Sequence, residues 1–191
     1  MVIYIHGFNS SPASSKAKLL KAKLDALGRG VEFAAPALPH GPAQAAALLD
    51  TLATRHPHAA LVGSSLGGYY ATYLAEKHRL KAVLLNPVVR PYELLALLVG
   101  RQKNLQTGEE YDFTTQHVAE LRSLEVDRIS PERYLLIAAT GDEVLDYRAA
   151  VARYRGCRQI VIDGSDHGLS DFADYVDAVI EFCGVSDAEK H

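Results

Sequence analysis

The sequence predicts an α/β fold: an open, mostly parallel sheet of six strands with helices on both of its faces. Short apolar runs rich in β-branched residues alternate with longer runs in which apolar residues recur at helical spacing, the pattern of repeated βαβ units. The composition is ordinary for a globular protein, since 48% of the residues are hydrophobic and 23% are charged. A chain of 191 residues is long enough for one domain with a full core. We therefore expect a single domain over residues 1–191.

Each predicted strand is a short apolar run that ends at proline, glycine or polar residues. Proline ends such runs because it has no N–H to donate to a neighbouring strand, as at Pro36 and at Pro87. The predicted strands are Val2–Ile5, Val31–Ala34, Ala59–Val62, Ala82–Leu85, Arg133–Ala139 and Arg158–Ile162.

Helices are predicted between these strands, where apolar residues recur every three or four positions. The first helix ends at Gly28, a residue type typical of helix C-termini. The second opens with Pro42, and proline is favoured in the first turn of a helix. The predicted helices are Ser14–Leu27, Pro42–Arg55, Leu66–His78, Thr115–Leu124, Tyr147–Tyr154 and Phe172–Phe182.

Residues 87–132 form a longer connection than a crossover between two parallel strands requires. It contains the apolar run Leu94–Val99 and then the polar segment Gly100–Tyr111, ahead of the predicted helix. Long connections in compact domains are usually lids or flexible linkers, and this one has too many leucines and aromatic residues for a linker. We therefore predict a small lid insertion at about residues 87–132.

Charge and apolar patterning exclude several classes of partner. The formal net charge is −3 without a block of like charges, so the basic surface of a nucleic-acid-binding protein is not expected. The first residues lack the features of an export signal, and no apolar run is long enough to span a membrane. Cys157 and Cys183 have no histidine at metal-ligand spacing, which favours two reduced thiols. We expect a cytoplasmic protein without a cofactor or metal; the oligomeric state is not indicated.

A glycine-flanked serine follows the third predicted strand and precedes a predicted helix. The run Gly63-Ser64-Ser65-Leu66-Gly67 in this context is typical of the nucleophile elbow of α/β-hydrolases. The elbow is a sharp turn that exposes the serine Oγ, and the positions two before and two after it must be small. Only Ser65 has glycine at both of these positions, so we predict Ser65 as a nucleophile. The alternative is a structural glycine-rich loop.

A serine hydroxyl needs a histidine that accepts its proton and an acid that orients the histidine. In this fold the three residues follow in the order serine, acid, histidine, each after a strand. Of the eight histidines, only His167 lies in the loop directly after the last predicted strand, since His191 is the terminal residue. Gly164 and Gly168 flank it and allow a mobile loop, so we predict His167 as the base.

The acid is expected after the fifth predicted strand. Asp142 lies directly at the end of that strand, whereas Asp146 stands where an N-cap of the next helix is expected. Glu143 is then expected to point away from the site. Asp142 is the preferred candidate, and Asp146, Asp163 and Asp166 remain alternatives whose ordinary roles are capping and turn formation.

An oxyanion hole is predicted from the first strand. His6-Gly7-Phe8 follows that strand directly, and Gly7 allows the backbone to bend so that the Phe8 N–H can face a substrate carbonyl. The residue after the nucleophile supplies the second N–H in this fold, which here is Leu66. The pair His-Gly is weak evidence alone, because it can simply end a strand. It becomes stronger evidence because Ser65, Asp142 and His167 follow it in the expected order along the chain.

Four separated motifs together resemble the YqiA-type bacterial esterases. They are residues 6–12 (HGFNSSP), 63–72 (GSSLGGYYAT), 86–91 (NPVVRP) and 140–148 (TGDEVLDYR). The resemblance covers essentially the whole chain, with one departure at Gly168, where alanine or another small residue is expected. It implies a cytoplasmic α/β-hydrolase active on acyl esters and acyl-CoA thioesters, with Ser65 as nucleophile, Asp142 as acid and His167 as base.

The expected substrate is therefore a small-molecule acyl ester or thioester, cleaved through an acyl-enzyme. Its pocket is predicted between the elbow and the lid. The candidate lining residues are Phe8, Tyr69, Leu94, Leu97 and Leu98, each of which could equally belong to the core. The alternatives are a catalytically idle binding module, or peptidase or acyltransferase activity on the same triad.

Overall fold

The computed structural model describes residues 1–185, and strands and helices alternate along that part of the chain. Its strands are β1 (Val2–Ile5), β2 (Phe33–Ala34), β3 (Ala60–Ser64), β4 (Lys81–Leu85), β5 (Gly100–Lys103), β6 (Glu110–Phe113), β7 (Tyr134–Ala139) and β8 (Arg158–Ile162). Its α-helices are α1 (Ser15–Ala26), α2 (Pro42–Arg55), α3 (Leu66–His78), α4 (Pro91–Leu95), α5 (Thr115–Ser123), α6 (Tyr147–Arg153) and α7 (Val176–Phe182).

Six of the strands form a parallel sheet in the order β2-β1-β3-β4-β7-β8. Side chains alternate between its two faces, so that Ile3 and Ile5 pack with α2, α3, α5 and α6, whereas Val2 and Tyr4 pack with α1 and α7. The central strands are apolar throughout because both faces are covered. The predicted α/β-hydrolase fold is confirmed. The carboxyl ends of the parallel strands lie along one edge of the sheet. The candidate site residues come directly after four of these strands, β1, β3, β7 and β8.

The edge strand β2 differs from its prediction. Residues Gly30–Glu32 form a 3₁₀ turn, and only Phe33–Ala34 pairs with β1. Val31 is 89% exposed, so its β-branched side chain does not mark a buried strand. An edge strand has only one neighbour to hold it, which explains why apolar character alone overstates its length here.

The insertion contains an antiparallel hairpin that was not predicted. Strands β5 and β6 pair in and just after the segment Gly100–Tyr111, for which polar character and no strand were predicted. Its turn is closed by Asn104, whose Oδ1 accepts hydrogen bonds from the N–H groups of Gln106 and Thr107. In β6 the half-buried Tyr111 and the buried Phe113 alternate with exposed acidic residues. This two-residue period was the available signal for a strand.

The described part of the chain has no helix that is both long and apolar enough to cross a membrane. Cys157 and Cys183 are free thiols, as predicted. Burial raises the pKa of the Cys157 thiol to about 11 and that of Cys183 to about 12, so neither is a reactive thiolate near neutral pH.

Candidate active site

Ser65 lies in a strained turn between β3 and α3. Its φ of 54° and ψ of −117° are rare for a residue with a side chain, and such strain persists only where the surroundings enforce it. A Cβ on Gly63 would lie 2.3 Å from the Gly67 carbonyl oxygen, and a Cβ on Gly67 would lie 2.0 Å from the Ile5 carbonyl oxygen. Only glycine fits at these two positions, which is the steric requirement predicted for a nucleophile elbow.

The structure brings Ser65, His167 and Asp142 into one hydrogen-bonded line. Ser65 Oγ lies 3.1 Å from His167 Nε2, and His167 Nδ1 lies 2.8 Å from Asp142 Oδ2. An ionised carboxylate can only accept hydrogen bonds, so Nδ1 carries the proton and donates it to Asp142. The lone pair of Nε2 then accepts the hydroxyl hydrogen of Ser65. This is the arrangement in which a serine hydroxyl becomes a nucleophile.

The carboxylate of Asp142 is fixed by the backbone that follows it. Its Oδ1 accepts hydrogen bonds from the N–H groups of Val144 and Leu145, at 2.9 and 2.8 Å. Its side chain is only 1% exposed, so solvent does not compete for the oxygen that faces His167. Asp142 is therefore oriented before any substrate binds.

The alternative acids occupy the local roles expected of them. Asp146 caps α6 and accepts a hydrogen bond from the Arg148 N–H. Asp163 accepts a hydrogen bond from the Thr140 hydroxyl, and Asp166 accepts one from the Ser170 N–H. Among these aspartates, Asp142 is the one that accepts the hydrogen bond from the His167 ring.

The loop after β1 passes directly beside the nucleophile. A Cβ on Gly7 would lie 3.8 Å from Ser65 Oγ and 3.2 Å from Ser65 Cβ. Leu66 is the first residue of α3, so its N–H has no partner within the helix. Within the described residues, neither the Phe8 N–H nor the Leu66 N–H has an acceptor. Two free donors near Ser65 are what an oxyanion hole requires.

His6 supports this loop and takes no part in the triad. It is buried, its Nδ1 donates to the Gly7 carbonyl oxygen at 2.9 Å, and its Nε2 accepts the Leu38 N–H at 3.2 Å. Burial lowers the pKa of His6, which favours the neutral ring that this pattern of donor and acceptor needs.

The β5–β6 hairpin of the insertion also forms hydrogen bonds with the loop after β1. The Tyr111 hydroxyl donates to Asn9 Oδ1 at 2.6 Å, and the Leu105 N–H donates to the Asn9 carbonyl oxygen at 3.1 Å. Asn104 Nδ2 donates to the Ser10 carbonyl oxygen at 2.9 Å. Asn9 itself has a φ of 53°, a conformation that asparagine tolerates better than most residues. The insertion thus fixes the backbone on which the Phe8 N–H depends.

Two residues that the sequence reasoning missed hold the His167 loop. Asn86 is buried, and its Nδ2 donates to the carbonyl oxygens of Asp166 and His167 at 3.0 and 3.2 Å. Its Oδ1 accepts the Ala139 N–H at 2.9 Å, which ties the loop to the end of β7. Glu143 accepts the His167 N–H at 3.0 Å, so it points toward this loop and not away from it. The hydrogen bond from the His167 N–H lowers the pKa of Glu143.

The predicted pocket residues Tyr69, Leu94, Leu97 and Leu98 do not line the cavity that contains Ser65. Tyr69 lines a separate cavity because its buried hydroxyl donates to a carbonyl oxygen at the end of α5. Leu94 lines a groove of about 670 Å³ beside the 87–90 segment. Leu97 is 82% exposed and Leu98 is 42% exposed. Of the five candidates, only Phe8 lines the cavity at the nucleophile.

The ring of Phe8 packs edge-to-face against two rings of the hairpin. Its centroid lies 5.4 Å from that of Phe113 and 6.4 Å from that of Tyr111. Such arrangements stabilise aromatic pairs beyond their buried area. The insertion therefore contributes to this cavity through Phe8, and not through its leucines.

A family model described as "Uncharacterised protein family (UPF0227)" matches residues 1–184 of this chain. A UPF0227 protein YcfP from Salmonella paratyphi A is 26% identical over 187 residues, covering 95% of this chain and 98% of the relative. A UPF0227 protein from Vibrio campbellii is 25% identical over 189 residues, covering 95% of this chain and 98% of the relative.

Several solved structures share the fold at low sequence identity. Est1E from Butyrivibrio proteoclasticus has a TM-score of 0.73 at 18% identity, over 95% of this chain and 85% of that one. The alpha/beta hydrolase domain-containing protein 10 from mouse has a TM-score of 0.68 at 16% identity, over 94% and 89%. A monoacylglycerol lipase from Paleococcus ferrophilus has a TM-score of 0.65 at 14% identity, over 95% and 93%.

Proposed function

The chain belongs to the UPF0227 family, and from that membership and the geometry at Ser65 we propose that it is a serine hydrolase of carboxylic esters. The observation that carries the proposal is the continuous line from Ser65 Oγ through the His167 ring to the buried Asp142 carboxylate. Acyl esters and acyl-CoA thioesters are the proposed substrate classes, because both present a carbonyl carbon with a leaving group that His167 can protonate.

In the proposed reaction Ser65 Oγ attacks the acyl carbonyl carbon while its proton passes to His167 Nε2. The negative charge that develops on the carbonyl oxygen is stabilised by the N–H groups of Phe8 and Leu66. Asp142 stabilises the imidazolium that forms. His167 then gives the proton to the leaving oxygen or sulfur as its bond to the acyl carbon breaks. Water, deprotonated by His167, cleaves the acyl-enzyme and restores the Ser65 hydroxyl.

Structural neighbours give secondary support to an ester substrate. Est1E from Butyrivibrio proteoclasticus has been solved with ferulic acid bound, and another neighbour is named a monoacylglycerol lipase. The support is limited to the shared fold, since function on a common fold resides in the site. The main support for ester hydrolysis is therefore the hydrogen-bonded arrangement of Ser65, His167 and Asp142 in this chain.

Labelling by a fluorophosphonate tests the proposal directly. The probe phosphonylates an activated serine, so intact-mass spectrometry should show one adduct per chain and peptide mapping should place it on Ser65. Turnover of a panel of ethyl esters, thioesters and amides then identifies the reaction class. A chain that neither reacts with the probe nor hydrolyses any member of the panel would be an idle binding module, contrary to the proposal.

Asn86→Ala should lower kcat by about 10²-fold. The change removes the hydrogen bonds to two carbonyl oxygens of the His167 loop, and each buried polar group left without a partner costs about 1–3 kcal/mol. Because Asn86 positions His167 and does not touch the substrate, KM should change little. Steady-state kinetics measure both constants, and the rate of fluorophosphonate labelling should fall with kcat.

Asn86→Asp is the matched variant, since it keeps the acceptor for the Ala139 N–H but turns an oxygen toward two carbonyl oxygens. It should be at least as impaired as Asn86→Ala. A loss of activity that merely follows the unfolded fraction, measured by circular dichroism at the assay temperature, would contradict a positioning role.

Tyr111→Phe should lower kcat by about five- to tenfold. It removes one hydrogen bond, worth about 1 kcal/mol, between the hairpin and the loop after β1 that carries the Phe8 N–H. The change deletes only the hydroxyl that donates to Asn9 Oδ1 and keeps the ring that packs on Phe8. Tyr73→Phe is the control, because Tyr73 lies on α3 beneath the Lys77 ammonium. Equal kcat values for wild type and Tyr111→Phe would show that the hairpin does not set the geometry of the oxyanion hole.

A further inference from the structure

The small cavity at the nucleophile extends to polar side chains that have no role in the proposed mechanism. Its volume is about 150 Å³. The residues that matter for its chemistry are Tyr4, Ser10, Ser14 and Lys16, together with Ser65 and His167. It lies on the α1 side of the sheet, between the loop after β1 and the loop that carries His167.

Lys16 gives this cavity a buried positive charge. The residue is only 8% exposed, and its Nζ donates to the Gly168 carbonyl oxygen at 2.5 Å. Within residues 1–185 no carboxylate lies at ion-pairing distance from it and no second acceptor is present. An ammonium group has three N–H donors. Two of them therefore remain for a group that enters the cavity.

Burial lowers the pKa of Lys16, and the more distant carboxylates of Asp166 and Asp142 oppose that shift. A buried charge without a counterion is unfavourable, and an anion placed beside it would relieve that cost. Lysine is buried in this way much less often than it is exposed. The position therefore indicates a binding role beyond support of the Gly168 carbonyl.

The hydroxyl groups around Lys16 add donors of the same kind. Ser14 Oγ donates to the Tyr4 hydroxyl oxygen at 3.2 Å, so this contact does not use the Tyr4 hydrogen. Burial raises the pKa of Tyr4, so the phenol keeps that hydrogen near neutral pH. Lys16 also lies in the first turn of α1, where the positive end of the helix dipole favours negative charge.

We propose that this cavity binds a carboxylate carried by the acyl chain close to the scissile carbonyl, so that the preferred substrates are esters or thioesters of short dicarboxylic acids. The inference rests on the proposed function. The cavity borders Ser65 itself, so a group inside it is only a few bonds from the carbonyl carbon. Its volume equals that of about five water molecules at about 30 Å³ each, which suits a chain of three or four carbons and not a long acyl chain.

Two ethyl esters of nearly equal shape test the subsite. Monoethyl succinate ends in a carboxylate, and ethyl 4-oxopentanoate carries a neutral methyl ketone in its place. We expect wild-type kcat/KM to be at least about tenfold higher for the succinate, as a charge-assisted hydrogen bond predicts. Lys16→Met should bring that ratio close to unity. Loss of the hydrogen bond to the Gly168 carbonyl oxygen can lower the rates for both esters, but it should not restore the difference between them. Lys18→Met, on the exposed side of α1, should keep the wild-type ratio.

A wild-type ratio of one or less, or an unchanged ratio in Lys16→Met, would overturn the subsite. If Lys16→Met does not fold, the wild-type ratio decides alone. Hydrolysis of ethyl 4-oxopentanoate tests the proposed function separately, because that ester lacks the carboxylate. If neither ester is cleaved, binding to the subsite can be tested without catalysis, by measuring the melting temperature of Ser65→Ala in the presence of each ester. Stabilisation by monoethyl succinate alone supports the subsite, and equal or absent stabilisation refutes it.

Discussion

Ser65→Ala is expected to lower kcat for ester hydrolysis by about 10⁶-fold, the loss typical of removing a triad nucleophile. The folded structure should survive, because the side-chain hydrogen bond of Ser65 goes to His167 and not to the core. Steady-state turnover of an ethyl ester measures the loss, and thermal unfolding measures the stability. Fluorophosphonate labelling should disappear in the same variant.

Ser64→Ala is the matched control for this experiment. Ser64 is the neighbouring serine and ends β3, but its position lacks the two flanking glycines that create the elbow. Its replacement should leave kcat within about tenfold of wild type, an effect on the scale of one lost hydrogen bond. If Ser65→Ala retained more than about a tenth of the wild-type rate, far above the loss expected for a triad nucleophile, another residue would be the nucleophile.

The inner part of the sheet could be predicted because β1, β3, β4 and β7 are buried on both faces almost throughout. Such strands are short, apolar and bounded by turn residues, and β1 begins and ends where the sequence predicts. The edge strand β8 also has its predicted bounds, although it is partly exposed. The pattern failed at β2 and at the β5–β6 hairpin. Both are partly exposed, so local pairing and contacts with the loop after β1 decide their structure more than apolar character does.

That Ser65, Asp142 and His167 lie together could be predicted because chain order and position after each strand are linear properties of a sequence. The family resemblance inferred from the motifs is confirmed by the UPF0227 match. The contacts of Asn86 with the His167 loop join residues 80 and 81 positions apart. Lys16 reaches Gly168 across 152 positions. No local pattern marks such partners, because they depend on how loops from separate strands meet above the sheet.

Four of the five predicted lining residues lie outside the cavity at Ser65 for a related reason. Leucines in an insertion suggest an apolar cover over the nucleophile, yet Leu97 is largely exposed and Leu94 faces a separate groove. The insertion contacts the site through polar hairpin residues that bind the loop after β1. Composition suggested a lid, but the directions of the side chains in this segment follow from the unpredicted hairpin.

Asp142→Asn is expected to lower kcat by about 10⁴-fold, because an amide can donate to Nδ1 and thereby favour the wrong His167 tautomer. The proton then lies on Nε2, which can no longer accept from Ser65. The backbone contacts from Val144 and Leu145 can persist with the amide oxygen, so the loop should stay in place. Steady-state kinetics over the pH range of wild-type activity measure the loss.

Asp146→Asn provides the comparison within the same loop. Asp146 is exposed and caps α6 through the Arg148 N–H, and asparagine caps helices about as well as aspartate does. Its replacement should therefore change kcat by less than about tenfold, consistent with the small effects of surface substitutions. Because the two variants make the same chemical change four positions apart, any general effect of charge removal from the loop cancels between them. A larger loss in Asp146→Asn than in Asp142→Asn would assign the acid to Asp146, and the short His167–Asp142 contact would then have no catalytic consequence.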